Sequence, residues 1–564
     1  MSDPETDAEA IWRTAYRHPA AWDTAFPPLS LVDMFERSAA QKGEAPLIDF
    51  LGRRYSYRET MEGANRVACG LAKLGYGPGD RIGLFLPNVP HYVAAYYGAL
   101  KLGATVVNFS PLYTAAELAH QVADSGTRVL FTLSASALLP TAVNVLTDSL
   151  LERLIVGSVA GALPPAKSLL YRLFKRSEVA ARPDDPRITA FSALIANDGA
   201  CATPPIDPER DVALIQYTGG TTGVPKGAML THQNLSANAR QIDGLDPHPA
   251  GDDRIIGVLP LFHVFANTCV LNRTVLNGGT MVLLPRFDAA QCLAAIARTK
   301  ATALPGVPTM YRALLDHPKL ADTDFSSLRV CISGGAPLPA ELKQRFEGAT
   351  DAILVEGYGL SESSGVLTVN PYEGGGKAGT IGQPIPATRL KLVNKEDPAR
   401  PAPNGEPGEI VAAGPQIMCG YWNRPDADAD TFLTDEHDVR WLRTGDVGTI
   451  DADGFVRIVD RLKDMIAVSG FKVFPSQIEA ILYRHPAVKE CLVIGLPDPY
   501  RGEHPRAYVV LEEDAAETGE ALAAWLNAQL GRHERVDTVV VRAGLPKTMI
   551  GKLSRKDLVA EVTG

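Results

Sequence analysis

The chain has 564 residues, of which 46% are hydrophobic, and it carries a formal net charge of −10. This length predicts two or more domains, because a single domain usually has about 100–200 residues. The acidic balance disfavours a nucleic-acid partner, which would require a basic surface.

The amino terminus and the cysteines indicate a cytoplasmic protein. The first residues are acidic and lack the basic-then-apolar order of a signal peptide. The sequence contains no uncharged apolar run of about 18 residues, so we expect no transmembrane helix. The seven cysteines are odd in number and include no Cys-x-x-Cys, so we expect neither a disulfide framework nor a zinc ribbon. This cysteine usage favours a reduced compartment.

Short apolar runs alternate with helical patterns over most of the chain. The predicted strands are Arg81–Leu86, Ala104–Asn108, Thr127–Leu133, Asp211–Thr218, Thr280–Leu284, Thr302–Gly306, Leu328–Ser333 and Ala352–Glu356. The predicted helices are His91–Leu102, Ala115–Ala123, Thr231–Ile242 and Asp288–Thr299, the last with Asp288 as its N-cap. This alternation predicts an α/β fold whose parallel sheets are covered by helices on both faces.

The pattern changes twice towards the carboxyl terminus. Between Ile385 and Gly414, short strands with Pro/Gly turns predict an appended β unit. The remaining residues predict a small α+β domain, with strands Gly454–Val459, Cys491–Gly495 and Arg506–Leu511 and helices Ser476–Tyr483 and Glu520–Leu530.

The segment Leu163–Arg176 has an amphipathic pattern of its own. Leu169, Leu170, Leu173 and Phe174 lie beside four cations, Lys167, Arg172, Lys175 and Arg176. Such a helix can lie on an anionic membrane. A surface helix packed on its own domain is the more common interpretation, and we favour it from the sequence.

A glycine- and threonine-rich loop follows the predicted strand Asp211–Thr218 and leads, we expect, into a helix. It reads Thr218, Gly219, Gly220, Thr221, Thr222, Gly223, Val224, Pro225, Lys226 and Gly227. Glycines let backbone N–H groups approach an anion, hydroxyls add donors, and Lys226 adds positive charge. The loop ends Pro-Lys-Gly, whereas a Walker A loop needs Gly-Lys-Ser/Thr, so it predicts a phosphate site of another class.

Five further segments follow this loop in a characteristic order. They are Ser333–Leu338, Glu356–Glu362, Trp441–Asp446, Asp460–Asp464 and Pro546–Lys552. Together with the loop, they resemble the motifs of the adenylate-forming superfamily, which contains acyl-CoA synthetases, luciferases and the adenylation domains of peptide synthetases. The resemblance covers nearly the whole chain and is strongest to bacterial long-chain fatty-acid–CoA ligases.

The resemblance implies an ATP site. Its expected residues are Thr218, Gly219, Gly220, Thr221, Thr222, Gly223, Lys226, Gly335, Ala336, Pro337, Glu356, Gly357, Tyr358, Gly359, Ser361, Asp446 and Arg461. In the family's pattern Tyr358 packs against adenine, while Asp446 and Arg461 hold the ribose. Glu362 and Thr221 are the expected Mg²⁺ ligands. Position 361 is often threonine in the family, and Ser361 keeps the hydroxyl.

The resemblance also implies the chemistry and the domain organisation. Lys552 corresponds to the family's catalytic lysine, and His263 and Glu362 are the other expected catalytic residues. Residues 1–462 would form the adenylation domain and residues 463–564 a mobile domain that turns at Lys463. That rotation would exchange Lys552 for the segment that serves the CoA step, which comprises Ser469, Gly470, Phe471 and Lys472.

The expected acyl pocket follows from the same match. Its residues are Val264, Phe265, Gly306, Gly334, Gly365 and Val366. Adenylation domains of peptide synthetases carry an Asp where this chain has His263, so an amino-acid substrate would lose its anchor. An apolar pocket suits an acyl chain. An aryl acid such as a coumarate-like compound would suit it nearly as well.

The resemblance therefore implies a medium- or long-chain fatty-acid–CoA ligase that uses ATP, Mg²⁺ and CoA. An aryl-acid or other carboxylate–CoA ligase is the alternative within this class. A nucleotide-binding regulator without chemistry and a luciferase-like oxygenase are alternatives from other classes. The resemblance leaves open a homodimer and a peripheral contact with the inner face of the membrane.

Overall fold

The computed structural model describes residues 7–218, 225–248, 253–403, 405–469, 471–548 and 552–563. The phosphate-loop residues Gly219, Gly220, Thr221, Thr222 and Gly223, and also Gly470, lie outside these ranges. None of the described helices is both long and apolar enough to span a membrane.

Two large sheets form the core of the amino-terminal part. In spatial order, the described strands of the first sheet are Gly420–Tyr421, Lys226–Thr231, Val212–Thr218, Thr105–Asn108, Arg81–Leu84, Val129–Leu133, Arg153–Gly157 and Ile188–Ala190. Those of the second sheet are Gln383–Pro384, Thr368–Val369, Ile353–Tyr358, Val330–Ser333, Ala303–Gly306, Arg254–Gly257, Thr280–Leu283, Pro46–Phe50 and Arg53–Ser56. Each sheet has a parallel centre, as the alternating pattern predicted. Antiparallel strands lie at both edges of the second sheet and at one edge of the first, whose other edge strand, Ile188–Ala190, is parallel to its neighbour.

Helices cover both sheets. The described α-helices are Asp7–Ala15, Leu31–Lys42, Tyr57–Lys73, Pro90–Lys101, Ala115–Ser125, Leu139–Asp148, Val159–Ala162, Pro165–Phe174, Phe191–Leu194, His232–Asp243, Val264–Ala266, Arg273–Asn277, Ala289–Thr299, Pro308–Leu315, Ala340–Thr350, Pro425–Thr431, Pro475–Leu482, Gly519–Asn527 and Arg555–Thr563. Several of them begin with a side-chain capping hydrogen bond. Asp288 caps its helix as predicted, and Thr114 and Glu117 form a capping box.

Two smaller sheets follow. The described strands of the third sheet are Arg389–Val393, Gly408–Ala413, Arg440–Ile450, Phe432–Thr434 and Val456–Arg461. Those of the fourth sheet are Phe471–Val473, Ile466–Val468, Gly502–Leu511, Val488–Asp498 and Val539–Val541. The fourth sheet packs with the last three helices as a small α+β unit with its own hydrophobic core.

The structure corrects the prediction for the strand Gly454–Val459. The observed strand Val456–Arg461 pairs with Arg440–Ile450 in the third sheet, not with the carboxyl-terminal strands. Its cross-strand register joins Asp446 to Arg461. A strand's hydrophobic pattern reports its burial and says nothing about which sheet it joins.

The phosphate loop is also followed by a strand, where we expected a helix. The strand Lys226–Thr231 returns antiparallel to Val212–Thr218, so that Thr218 and Lys226 are cross-strand partners at the two ends of the loop. The predicted helix begins only at His232, after this strand. The loop therefore closes a β-hairpin.

The expectation that the cysteines form no disulfide was wrong. Cys69, on the helix Tyr57–Lys73, is bonded to Cys201, and the other five cysteines are free. The amide of Asn197 donates to the carbonyl of Arg66, which draws the segment before Cys201 along this helix. The pair is 132 residues apart in sequence, so spacing gave no indication of it.

The predicted packing of the helix Pro165–Phe174 on its own domain was wrong for its apolar side chains. None of its residues is buried, and its leucines and Phe174 face the solvent.

Candidate functional site

Several of the predicted site motifs lie at the carboxyl ends of parallel strands. Gly306, Ser333 and Glu356 are partners in register across three neighbouring strands of the second sheet. Thr218 ends a strand of the first sheet. Ligands of open α/β sheets bind at this edge, where loops leave the strands.

Asp446 is the centre of a polar cluster. Its carboxylate is buried and accepts a hydrogen bond from the hydroxyl of Tyr358 at 2.5 Å. Its other oxygen lies 2.9 Å from Nε of Arg461, its cross-strand partner. A carboxylate can accept about four hydrogen bonds, so Asp446 retains the capacity to accept two more, as two ribose hydroxyls would need.

Lys552 comes from the carboxyl-terminal unit and lies in this site. Its side chain passes directly over Gly335, where an added β-carbon would overlap its Cε. Gly335 has φ +80°, a left-handed conformation that glycine adopts without strain. Burial lowers the pKa of Lys552 to about 8, and repulsion from Arg461 adds to the shift, while Asp446 opposes it.

His263 caps the short helix Val264–Ala266 and is neutral. Burial lowers its pKa to about 3, and the nearby charge of Lys552 acts in the same direction. Its Nδ1 accepts a hydrogen bond from the backbone N–H of Phe265 at 3.3 Å. A neutral imidazole whose Nδ1 accepts carries its proton on Nε2, so His263 presents an Nε2–H donor.

Two buried residues that the sequence analysis did not single out hold the turn before His263. Asn88 donates to the carbonyl of Leu259 and accepts from the N–H of Leu261. The hydroxyl of Tyr92 donates to the carbonyl of Leu261 at 2.9 Å. A π-helical segment, Asn267–Asn272, follows the helix that His263 caps. Such distortions of a helix are frequent at functional sites.

Glu362 and Lys226 are joined through Tyr421, which the sequence analysis also missed. The hydroxyl of Tyr421 donates to the Glu362 carboxylate at 2.7 Å, and Nζ of Lys226 lies 5.0 Å from the centre of the Tyr421 ring. Tyr421 lies on a two-residue strand that pairs with Lys226–Thr231. A strand this short has no periodicity that a sequence could reveal.

Asp124 is a further residue without a sequence signal, and it braces the strand before the phosphate loop. Its carboxylate accepts from the hydroxyl of Tyr217 at 2.6 Å and from Arg424 at 2.5 Å. Its backbone carbonyl accepts from the indole of Trp422. These bonds tie the strand that ends at Thr218 to the segment that follows Tyr421.

The adenine-loop prediction concerns Gly335, Ala336 and Pro337, and Glu356 braces this loop. One oxygen of the Glu356 carboxyl accepts from the N–H of Leu338 at 3.2 Å. Burial raises the pKa of Glu356 to about 8. The adjacent Gly357 is paired with Val369 in the neighbouring antiparallel strand Thr368–Val369.

The predicted acyl-pocket residues are contiguous in space. A β-carbon on Gly334 would lie 3.0 Å from the ring of Phe265, and one on Gly365 would lie 3.2 Å from the carbonyl oxygen of Val264. The N–H of Gly334 donates to the carbonyl of Gly306. Val366 is buried, and both its N–H and its carbonyl are bonded to the amide of Asn238.

Glycine is also required at position 359. A β-carbon on Gly359 would overlap the backbone of Gly365, so only glycine permits this approach. Ser361 begins the short turn that carries Glu362. The nucleotide motif and the acyl-pocket motif therefore meet here.

Lys463 lies at the border of this cluster, and the described residues of the predicted CoA segment belong to the carboxyl-terminal unit. Lys463 follows the last strand of the third sheet, and its pKa is lowered to about 8 by burial and by the charge of Arg461. The backbone of Ser469 donates to Arg501 within the carboxyl-terminal unit. Phe471 and Lys472 lie on the strand that follows, whose partner is Ile466–Val468.

Donor chemistry at the site fits a magnesium nucleotide. Among the residues that the structure describes, no group of three or more His, Cys, Asp or Glu residues could hold a metal ion. Mg²⁺ in nucleotide enzymes usually takes one or two carboxylates and completes its shell with phosphate oxygens and water. Glu362, which is joined to Lys226 through Tyr421, meets this need.

Comparisons with known proteins identify the family of the chain. Residues 35–422 match the family model of the AMP-binding enzyme, and residues 477–552 match that of the AMP-binding enzyme C-terminal domain. Over 556 residues the chain is 39% identical to a long-chain-fatty-acid–CoA ligase of Bacillus subtilis (strain 168), with 98% of each chain covered. It is 35% identical to a feruloyl-CoA synthase of an Amycolatopsis species over 523 residues, which are 93% of this chain and 97% of the relative.

A solved structure shares the whole fold. The crystal structure of ATP-bound MatB from Rhodopseudomonas palustris superposes with a TM-score of 0.82 at 28% identity and covers 95% of this chain and 99% of its own. Matches to the family models extend over both the amino-terminal part and the carboxyl-terminal unit. This chain belongs to the AMP-binding enzymes of the adenylate-forming superfamily.

Proposed function

We propose that this ATP-binding acid–CoA ligase acts on medium- or long-chain fatty acids. The observation that carries the ligase chemistry is the position of Lys552, whose amine lies in the cluster of Gly335, His263 and Asp446. For the fatty-acid substrate, the support is the 39% identity to the Bacillus subtilis ligase over nearly the full length of both chains.

The first step needs cations because its reactants repel each other. A carboxylate oxygen attacks the α-phosphorus of ATP, the bond from that phosphorus to the bridging oxygen breaks, and pyrophosphate leaves. Carboxylate and phosphate are both anionic, so a positioned ammonium group lowers the barrier. Lys552 is that group in our proposal, and Lys226 assists at the departing phosphates. A Mg²⁺ ion held by Glu362 and Thr221 would neutralise charge on the pyrophosphate.

The chain's other residues orient the two substrates. Asp446 and Arg461 would hold the ribose, and Tyr358, which is bonded to Asp446, would pack against adenine. The Nε2–H group of His263 would donate to a carboxylate oxygen of the acid. A neutral donor suits this position because a second cation would compete with Lys552 for the same oxygens.

In the second step a CoA thiolate attacks the acyl carbonyl, the bond from that carbon to the AMP oxygen breaks, and AMP leaves. We propose that residues 463–564 turn at Lys463 between the steps, so that Lys552 withdraws and Ser469, Gly470, Phe471 and Lys472 approach the thiol. The positive φ of Ser469, +49°, supports this role, because such backbone conformations of non-glycine residues cluster at functional sites.

An aryl acid is the second candidate substrate, because the feruloyl-CoA synthase relative is 35% identical over 93% of this chain. The planar wall of Phe265 against Gly334 would accept a ring as well as an acyl chain.

A substrate panel tests the proposal. AMP formation is measured with MgATP and CoA for acetate, octanoate, palmitate, oleate, benzoate and coumarate. We expect the largest kcat/KM at octanoate or longer. A maximum at the aryl acids would replace the substrate and keep the mechanism. No AMP with any acid would support a regulator without chemistry, and acid-dependent oxygen uptake would support an oxygenase.

A further inference from the structure

The helix Pro165–Phe174 presents an apolar face to solvent. Leu169, Leu170, Leu173 and Phe174 are 60%, 53%, 51% and 76% exposed. At 3.6 residues per turn, these four side chains lie together within an arc of about 140° of the helix circumference. Side chains of this size are rarely left exposed as a contiguous group without a partner.

The opposite face attaches the helix to the protein. Ser168 and Tyr171 are its partly buried side chains, and Tyr171 packs against the main core. Just before the helix, Arg53 and Tyr55 donate to the carbonyls of Gly161 and Ala162. The apolar face is therefore held outward by a fixed base.

Cations border the apolar face on both sides. By the same helical geometry, Lys167 lies at one edge and Arg172 at the other, and Lys175 and Arg176 follow at the end of the helix. No Asp or Glu occurs from Leu163 to Arg176, although the chain carries a net charge of −10. Glu178 pairs with Lys175, and Nζ of Lys167 donates to the carbonyl of Leu51 at 2.8 Å, so Arg172 and Arg176 are the cations left to act outward.

Apolar side chains between flanking cations match the surface of an anionic bilayer. The apolar groups enter the acyl-chain boundary while the cations remain at the lipid headgroups. Each cation near such a surface contributes about fivefold to binding at moderate ionic strength. A protein partner could bind the same apolar side chains, but binding to a protein would not require cations along both borders of the apolar face.

The position of the helix in the fold is consistent with a role beside the active site. It follows the carboxyl end of the strand Arg153–Gly157 in the first sheet, and the phosphate loop follows the carboxyl end of a parallel strand in the same sheet. Four strand spacings separate the two strands, which is about 19 Å.

We propose that the helix Pro165–Phe174 docks the protein on anionic lipid bilayers as an interfacial amphipathic helix. This inference goes beyond the proposed function, since it does not depend on which acid is activated.

Flotation of the full chain with lipid vesicles tests this proposal. Vesicles of phosphatidylcholine with one quarter phosphatidylglycerol are compared with pure phosphatidylcholine at 50 and 500 mM NaCl. We expect binding to the anionic vesicles that weakens at high salt. Replacing Leu169, Leu170, Leu173 and Phe174 by serine should lower the vesicle-bound fraction at least tenfold. The variant Arg172→Gln/Lys175→Gln/Arg176→Gln should lose binding to anionic vesicles by a similar factor.

Leu150→Ser is the matched control. Leu150 is 75% exposed and precedes the strand Arg153–Gly157, so it lies at the opposite edge of the first sheet. It should bind vesicles as the unaltered chain does. All of these changes lie at exposed positions, and ATP–pyrophosphate exchange checks that each variant is folded.

Two results would overturn the proposal. The first is equal binding to both vesicle types, or none to either. The second is a chain that self-associates in light scattering and becomes monomeric in the serine variant, because the apolar face would then be a contact between copies.

Discussion

Lys552 carries a positive charge in a place that disfavours it. Burial and the repulsion of Arg461 both lower its pKa, to about 8, and only Asp446 offsets them. An amine in such a position is poised near neutral pH, which is typical of groups that act in catalysis. Because the solvation of this amine is already impaired, removing it should not destabilise the fold.

The variant Lys552→Ala should lose adenylation by at least ~10²-fold and retain thioester formation from preformed acyl-AMP. ATP–pyrophosphate exchange and the CoA reaction of the isolated adenylate measure the two steps separately. Lys547→Ala is the control, since the Lys547 amine pairs with Glu490 instead of entering the site. Equal loss of both steps would contradict a domain rotation that withdraws Lys552.

The pH dependence of adenylation follows from the same residue. The lowered pKa means that Lys552 loses its proton as the pH rises through about 8, earlier than an ordinary lysine. Values of kcat/KM report the free enzyme, so kcat/KM for pyrophosphate exchange should fall above pH 8, and Lys552→Arg should move this fall upward.

At the level of single residues, the sequence could indicate the site residues that lie in contiguous motifs. Asp446 and Arg461 are cross-strand partners, and Gly335 lies against Lys552 beside them. Tyr421 and Asp124 could not be found in this way. Their roles depend on partners that are 59 and 93 residues away in sequence and that only the folded chain brings together.

The secondary-structure elements show the same division. Long apolar strands and amphipathic helices agree with their predicted bounds within a few residues, because burial imposes their period. The hairpin strand Lys226–Thr231 was missed, although it decides how the phosphate loop is held. The two-residue strand Gly420–Tyr421, which pairs with it, brings the Tyr421 hydroxyl to Glu362.

That pairing leads to a prediction about magnesium. Tyr421→Phe removes the hydrogen bond to the Glu362 carboxylate, and losing such an outer partner of a metal ligand typically weakens metal binding ~10–100-fold. The Mg²⁺ concentration for half-maximal pyrophosphate exchange should therefore rise about tenfold in Tyr421→Phe and further in Glu362→Gln. The exposed acid Glu406 offers the control, Glu406→Gln. An unchanged Mg²⁺ titration in Glu362→Gln would remove Glu362 from the metal site.

On the scale of the whole molecule, the number of units and their order could be predicted, whereas their contacts could not. The third sheet takes in Val456–Arg461, and the fourth sheet begins only at Ile466–Val468. Between them lie Arg461, Leu462 and Lys463, where we propose the hinge. Which surface of the carboxyl-terminal unit faces the site depends on tertiary packing, and a one-dimensional pattern does not record it.

One ion pair bridges the two parts of the molecule and can be used to test their motion. Arg312, on the helix Pro308–Leu315, lies 2.7 Å from Glu512 of the carboxyl-terminal unit. A partly exposed pair contributes roughly 0.2–1 kcal/mol, or up to about fivefold. Arg312→Gln should therefore slow adenylation up to about fivefold and leave the thioester step unchanged or faster, because it weakens only the arrangement with Lys552 in the site. Glu512→Gln should match it, and the double variant should be no slower than either.

Arg345→Gln, which removes contacts to Asp316 and Glu341 within the amino-terminal part, should change neither step. A parallel loss of both steps in Arg312→Gln would show that the pair supports the fold and has no preference between the two arrangements.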